Sequence, residues 1–191
     1  PKTPGSRGNA WRDIKVYRNH AYVVADGALD HGMQVFDLTR LRSVRGEPQT
    51  FEPDALYEGI ASAHNIVINE ETGYAYAVGA NSGGETCGGA LHIINIQDPK
   101  SPEFVGCFAD TRTGRAGTGY SHDAQCVVYE GPDAEHRGKE ICLGSNVVQP
   151  PPPPPTPVRA LPAKAWQMLR QRGPGNTVRE VGRYVRWKVR L

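Results

Sequence analysis

Several things are scarce or missing in this chain of 191 residues, and each absence excludes something. No apolar run approaches the roughly 18 residues of a membrane-crossing helix, so no membrane span is expected. There is no G-x-S-x-G, no H-E-x-x-H and no glycine-rich phosphate loop ending in Lys-Ser or Lys-Thr, so the usual signatures of nucleophilic, zinc-peptidase and nucleotide chemistry are absent. The four cysteines include no C-x-x-C pair, which removes the common zinc and redox spacings. The opening Pro1-Lys2-Thr3-Pro4-Gly5-Ser6 has neither a basic-then-apolar leader nor a cleavage pattern, and the expectation is a piece of a larger protein.

What is present is a repeated strand grammar. Ile66-Val67-Ile68 leads through Asn69-Glu70-Glu71-Thr72-Gly73 into Tyr74-Ala75-Tyr76-Ala77-Val78, two β-forming runs around a five-residue turn containing glycine. Leu91–Ile96 is a third strand, stopped near Asp98-Pro99 because proline cannot donate to a ladder. Phe104-Val105 begins a fourth. The same order appears upstream in Trp11–Tyr17, Ala21–Val24 and Met33–Leu38. It begins again downstream in Ser121–Tyr129 and Glu140–Gly144. Aligning Trp11, Ala63 and Ser121 gives offsets of 52 and 58 residues. Antiparallel units of this size, used repeatedly, predict an all-β chain built as an incomplete β-propeller of about two and a half blades. Between the units, Thr39–Arg42 and Asp54–Tyr57 are each expected to form a short helical turn. Asp110–Tyr120 is expected to be a mobile surface loop.

The residues Gly89–Gly106, with Leu91-His92-Ile93-Ile94-Asn95-Ile96 and Asp98-Pro99-Lys100-Ser101-Pro102, resemble the LVIVD repeat. Together with Trp11-Arg12-Asp13-Ile14-Lys15-Val16, Ser62-Ala63-His64-Asn65 and Tyr120-Ser121-His122-Asp123, they resemble the choice-of-anchor B proteins over residues 10–146. That resemblance implies a propeller exported to the cell exterior or surface, and it implies no reaction. An open set of blades leaves sheet faces bare, so the chain is expected either to be a fragment or to associate.

Cys126 and Cys142 flank a hairpin centred near residue 134, which places them nearly opposite each other on paired strands. Cys87 and Cys107 flank the third strand of the central unit. Disulfides in both places and buried free thiols remain alternatives on spacing alone; the oxidising compartment implied by the resemblance favours the bridges.

Composition divides the chain at residue 146. Residues 1–146 hold 13 Lys and Arg against 19 Asp and Glu, and residues 147–191 hold 9 against the single acid Glu180. The second segment opens on six prolines, Pro150–Pro155, an extended rod unable to supply a ladder. It is expected to stand apart from the sheets as a Pro-rich linker and basic tail, disordered or foreign to the blades. Its rival reading is a strand within Val178–Val189, where Val and aromatic residues alternate with Arg and Lys. Nucleic acid is an unfavoured partner, resting on that tail alone, and the partner expected is a protein or surface ligand.

The first strands of the three units open with Arg12-Asp13, His64-Asn65 and His122-Asp123. In a propeller these starts lie at one mouth of the axial channel. His64, His122 and Asp123 are therefore the candidate ligands for a divalent metal, set against a structural role in hydrogen-bonding a neighbouring blade. His20, His31, His92 and His136 have no partner at informative spacing. The leading expectation is a secreted or surface binding or scaffold module without a defined reaction. The alternative is a metal-dependent enzyme at the channel mouth.

Overall fold

The structure is a computed structural model, and it describes residues 11–28, 30–114, 117–146 and 185–188. It is all-β; among the described residues the pairing is antiparallel throughout and the helical turns are only of the 3-10 type. The first sheet is formed in chain order by β1 (Arg12–Tyr17), β2 (His20–Ala25), β3 (Met33–Asp37) and β4 (Ala55–Tyr57). The second contains β6 (Asn65–Asn69), β7 (Tyr74–Val78), β9 (Leu91–Asn95) and β10 (Glu103–Phe108), again in chain order. The third contains β11 (Ser121–Val128), β12 (Glu140–Asn146) and β13 (Val185–Lys188). A small ladder of β5 (Ile60–Ser62) and β8 (Ser82–Gly84) joins the connections.

Local chemistry accounts for the hairpins. β1 and β2 are joined by Arg18-Asn19, and Tyr17 pairs with His20 across the turn. Both turn residues have positive φ, 44° and 58°, as the tight two-residue loops that match strand twist require. The four residues between β6 and β7, Glu70–Gly73, close at Gly73, φ 74°, in the left-handed region that favours glycine. Thr39–Arg42 falls within a 3-10 turn, Leu38–Ser43, whose start is capped by the Asp37 carboxylate accepting from Thr39 N–H at 2.9 Å.

Asp54–Tyr57 does not form the expected helical turn. Ala55–Tyr57 is β4, paired with Met33–Val35 of β3, and it completes a four-stranded sheet. Arg40 Nη1 holds the Asp54 carboxylate at 2.8 Å, and that carboxylate accepts from Asp37 N–H at 2.7 Å. These contacts carry the chain back alongside β3 after an insertion without periodicity of its own.

The three sheets stack face to face. One core lies between the first and second and includes Tyr22, Val24, Met33, Val35, Ile66, Ala77 and Ile94. The other lies between the second and third and includes Val67, Tyr76, Val78, Leu91, Ile93, Cys126 and Cys142. The middle sheet is thus apolar on both faces. This explains why its strands are nearly continuous runs of Ile, Val, Ala and Tyr and do not alternate with charge.

Two disulfides are present, Cys87–Cys107 and Cys126–Cys142. Cys126 and Cys142 are direct cross-strand partners with Cα atoms 4.0 Å apart. No helix among the described residues is long and apolar enough to cross a membrane.

Of residues 147–191, the strand Val185–Lys188 is described, and it pairs with β12 from Ile141↔Lys188 to Gly144↔Val185. It lies inside the stretch where valine and aromatics alternate with basic residues. The proline tract Pro150–Pro155 lies outside the described residues.

Replacing Cys126 and Cys142 together by serine should cost about 3 kcal/mol of unfolding free energy in denaturant titrations, the size of the chain-entropy effect for a loop of this length. Four unreactive cysteines are expected in denatured, unreduced protein, and free thiols at those two positions would contradict the pairing. For β13, amide exchange should be slow within Val185–Lys188. Rapid exchange at all four would show that the pairing with β12 does not form.

Candidate functional site

The first strands of the three sheets run near one another, β6 contacting both β1 and β11. Alternate residues of a strand point to opposite faces, so positions two apart share an outlook. Asp13 and Lys15 of β1, Asn65 and Val67 of β6, and Asp123 and Gln125 of β11 line one cleft of about 310 Å³, with Ala124 beside them. These pairs are related by the offsets of 52 and 58 seen in the sequence. The repeat therefore places three equivalent pairs of side chains around one space.

Within the cleft, Asp13 is the most constrained group. Its Oδ1 accepts from Ile14 N–H at 2.9 Å and its Oδ2 from Ile66 N–H, on the next sheet, at 3.0 Å. Lys15 Nζ lies 2.7 Å from both oxygens. Burial alone would raise the Asp13 carboxyl, but Lys15 and the two backbone donors outweigh it and hold it below its ordinary value. Asn65, the equivalent residue, donates from Nδ2 to the His122 carbonyl at 3.3 Å. Each therefore bonds the backbone of the following sheet. Asp123 accepts from Ala124 N–H at 2.8 Å.

At one end of the cleft the structure brings His64 and His122 together. Their ring centroids are 4.2 Å apart with planes at 52°. His64 Nδ1 lies 2.8 Å from Asp26 Oδ2; a carboxylate only accepts, so Nδ1 carries the proton. Asn81 Nδ2 donates to the other Asp26 oxygen at 2.9 Å. Burial pushes the Asp26 carboxyl up, but the bonds from His64 and Asn81 prevail and hold it below its ordinary value. Gly79, φ 62°, makes room for this arrangement: a Cβ there would come within 2.6 Å of the His64 Cβ. Asp123 does not join the two imidazoles as a third converging ligand. Among the described residues, the three-residue set whose ligand atoms lie within 4.8 Å of one another is Glu85, Cys87 and Cys107. The disulfide occupies both of its sulfurs, so that set offers no thiolate.

A buried polar chain has no counterpart in the sequence patterns. His92, fully buried in mid-strand, donates from Nδ1 to the Glu85 carbonyl at 2.6 Å, and its Nε2 accepts from the Tyr57 hydroxyl at 2.7 Å. Burial lowers the His92 imidazole and pushes the Tyr57 phenol up to about 12. The two residues lie 35 apart and meet only because β4 returns to the first sheet. His31 is likewise buried and lowered, donating from Nδ1 to the Gly32 carbonyl at 2.9 Å.

Compared with family models, with curated proteins and with solved structures, the chain matches none.

The buried groups set a pH profile. His31 and His92 are held neutral below their ordinary value of 6.5, so below about that pH the unfolded chain binds more protons and stability falls. The contribution of Asp13 and Asp26, whose carboxyls are depressed from 3.8, is intact above that value and is lost in a second step as pH falls further. Urea unfolding between pH 7 and 5 should therefore show declining stability, with a shallower slope in His31→Asn/His92→Gln. A flat wild-type profile would contradict it.

Proposed function

We propose that the chain is a β-propeller segment of the LVIVD, choice-of-anchor B type, acting outside the cell as a binding or scaffold module whose ligand is taken at the cleft between β1, β6 and β11. The supporting observation is the convergence of Asp13, Asn65 and Asp123, three equivalent positions, on one space. A propeller places the first strand of each blade around its axis, and the shared lining of the cleft by β1, β6 and β11 supports that reading. The two disulfides support an oxidising compartment. Two carboxylates, two amides and one ammonium suit a ligand rich in hydrogen-bonding groups, and they offer no activated nucleophile.

A second reading, the divalent-metal site of a metal-dependent enzyme, is favoured by one observation. His64 has its Nδ1 tied to a carboxylate, the orientation that leaves Nε2 for a metal, and His122 stands against it.

The full chain, screened against cell-surface glycans and peptides, should bind a ligand whose affinity drops roughly tenfold or more in Asp123→Ala/Gln125→Ala. Undiminished binding by that variant would defeat the cleft assignment. Equilibrium dialysis against zinc addresses the second reading. One zinc per chain, lost on His64→Ala, would favour the metal site over the binding module.

A further inference from the structure

Among the described residues nothing covers the outermost faces of the stack, and each is equivalent to a face that is covered elsewhere in the chain. Ile66 and Ile68 of β6 pack against the first sheet, and Ala124 and Cys126 of β11 pack against the second. The residues at the same places in β1, by the offset of 52, are Ile14 and Val16, which are 56% and 49% exposed. On the other side, register identifies the residue opposite each second cleft position. It is Tyr22 opposite Lys15, Tyr76 opposite Val67 and Leu143 opposite Gln125. Tyr22 and Tyr76 are fully buried, whereas Leu143 is 43% exposed, with Val127 beside it at 41%.

The hydrogen bonds of the first junction offer a template; at the second, Asn65 donates to the His122 carbonyl instead. Asp13 uses Oδ1 on its own neighbour Ile14 and Oδ2 on Ile66 of the next sheet. Asp123 uses Oδ1 on its own neighbour Ala124. The donor equivalent to Ile66 N–H is that of Ile14, on the bare side of the first sheet.

We propose that a second copy of this chain docks the Ile14–Val16 face of its first sheet on the Val127–Leu143 face of the third, forming a head-to-tail junction of the kind already present twice within the chain. The two surfaces are different from each other and complementary, so the contact is heterologous. It closes when two copies satisfy both junctions, and otherwise it propagates. In the junction Ile14 and Val16 take the places of Ile66 and Ile68, and Asp123 Oδ2 shares the Ile14 N–H as Asp13 Oδ2 takes that of Ile66. Ile14, Val16, Val127 and Leu143 lie outside the cleft lining, so the apolar part of this contact does not involve what the cleft binds; Asp123 alone belongs to both.

Light scattering after size exclusion, on the full 20.8 kDa chain, tests it. The expected mass is twice that value or a higher multiple, rising with concentration. Ile14→Asp and Leu143→Asp, both at exposed positions, should each weaken self-association by roughly tenfold or more, because a carboxylate is forced into an apolar contact. Mixing the two variants should restore a two-chain species through the one intact junction that the mixture contains. Three results would overturn the proposal: a wild-type monomer at every concentration, a mixture that stays monomeric, or self-association unaffected by either substitution. Circular dichroism of each variant, matching wild type, removes misfolding as an explanation.

Discussion

The constraint from which the rest follows is that the middle sheet must bury both of its faces. Tyr76, Ile93 and Leu91 point one way and Ile66, Ala77 and Ile94 the other, and every one is buried. A sheet of that composition is stable only between two others, because each fully buried aliphatic or aromatic side chain is worth about 1.5–3 kcal/mol relative to exposure. Its neighbours need only one apolar face each to satisfy it. The cleft is a by-product of the same stacking: three sheets laid face to face bring their first strands into proximity, and the polar residues at the strand starts have nowhere else to converge.

The polar groups at the junctions complete this arrangement and do not drive it. Asp13 reaches the backbone of β6, Asn65 that of β11, and Asp26 holds His64 from the neighbouring sheet. The Ile66 N–H that Asp13 satisfies belongs to a buried residue of the apolar core, where an orphaned donor costs about 1–3 kcal/mol. The same side chains thus serve register and line the open space. It follows that substitutions in the cleft are of two kinds: those at Asp13 disturb the stack, and those at Gln125 leave it intact.

Much of this was legible in the sequence. Strands in the middle unit are marked by β-branched and aromatic runs ended by glycine and proline, and the offsets of 52 and 58 carry over directly to the residues that share the cleft. The approach of His64 to His122 was likewise visible in their matched positions. Two things were not. Ala55–Tyr57 is too short to show a period, and it becomes a strand only because β3 offers an open edge and Arg40 and Asp54 fix the return. The Tyr57–His92 bond depends on that return, so no local pattern could announce it. Asp123 illustrates a further limit: equivalence along the chain predicted its strand and its outlook, but convergence on a common ion also depends on side-chain reach.

The Cys126–Cys142 bridge has a bearing on how this protein meets proteases. It closes the β11–β12 hairpin just inside the loop that carries Glu130, Asp133, Glu135 and Arg137, most of it exposed. A cut within that loop severs the backbone without separating the pieces, since the two strands remain bonded at directly opposed residues. The loop can therefore be nicked, lengthened or exchanged while the third sheet keeps its register, which makes it the natural place for this chain to accept an insertion.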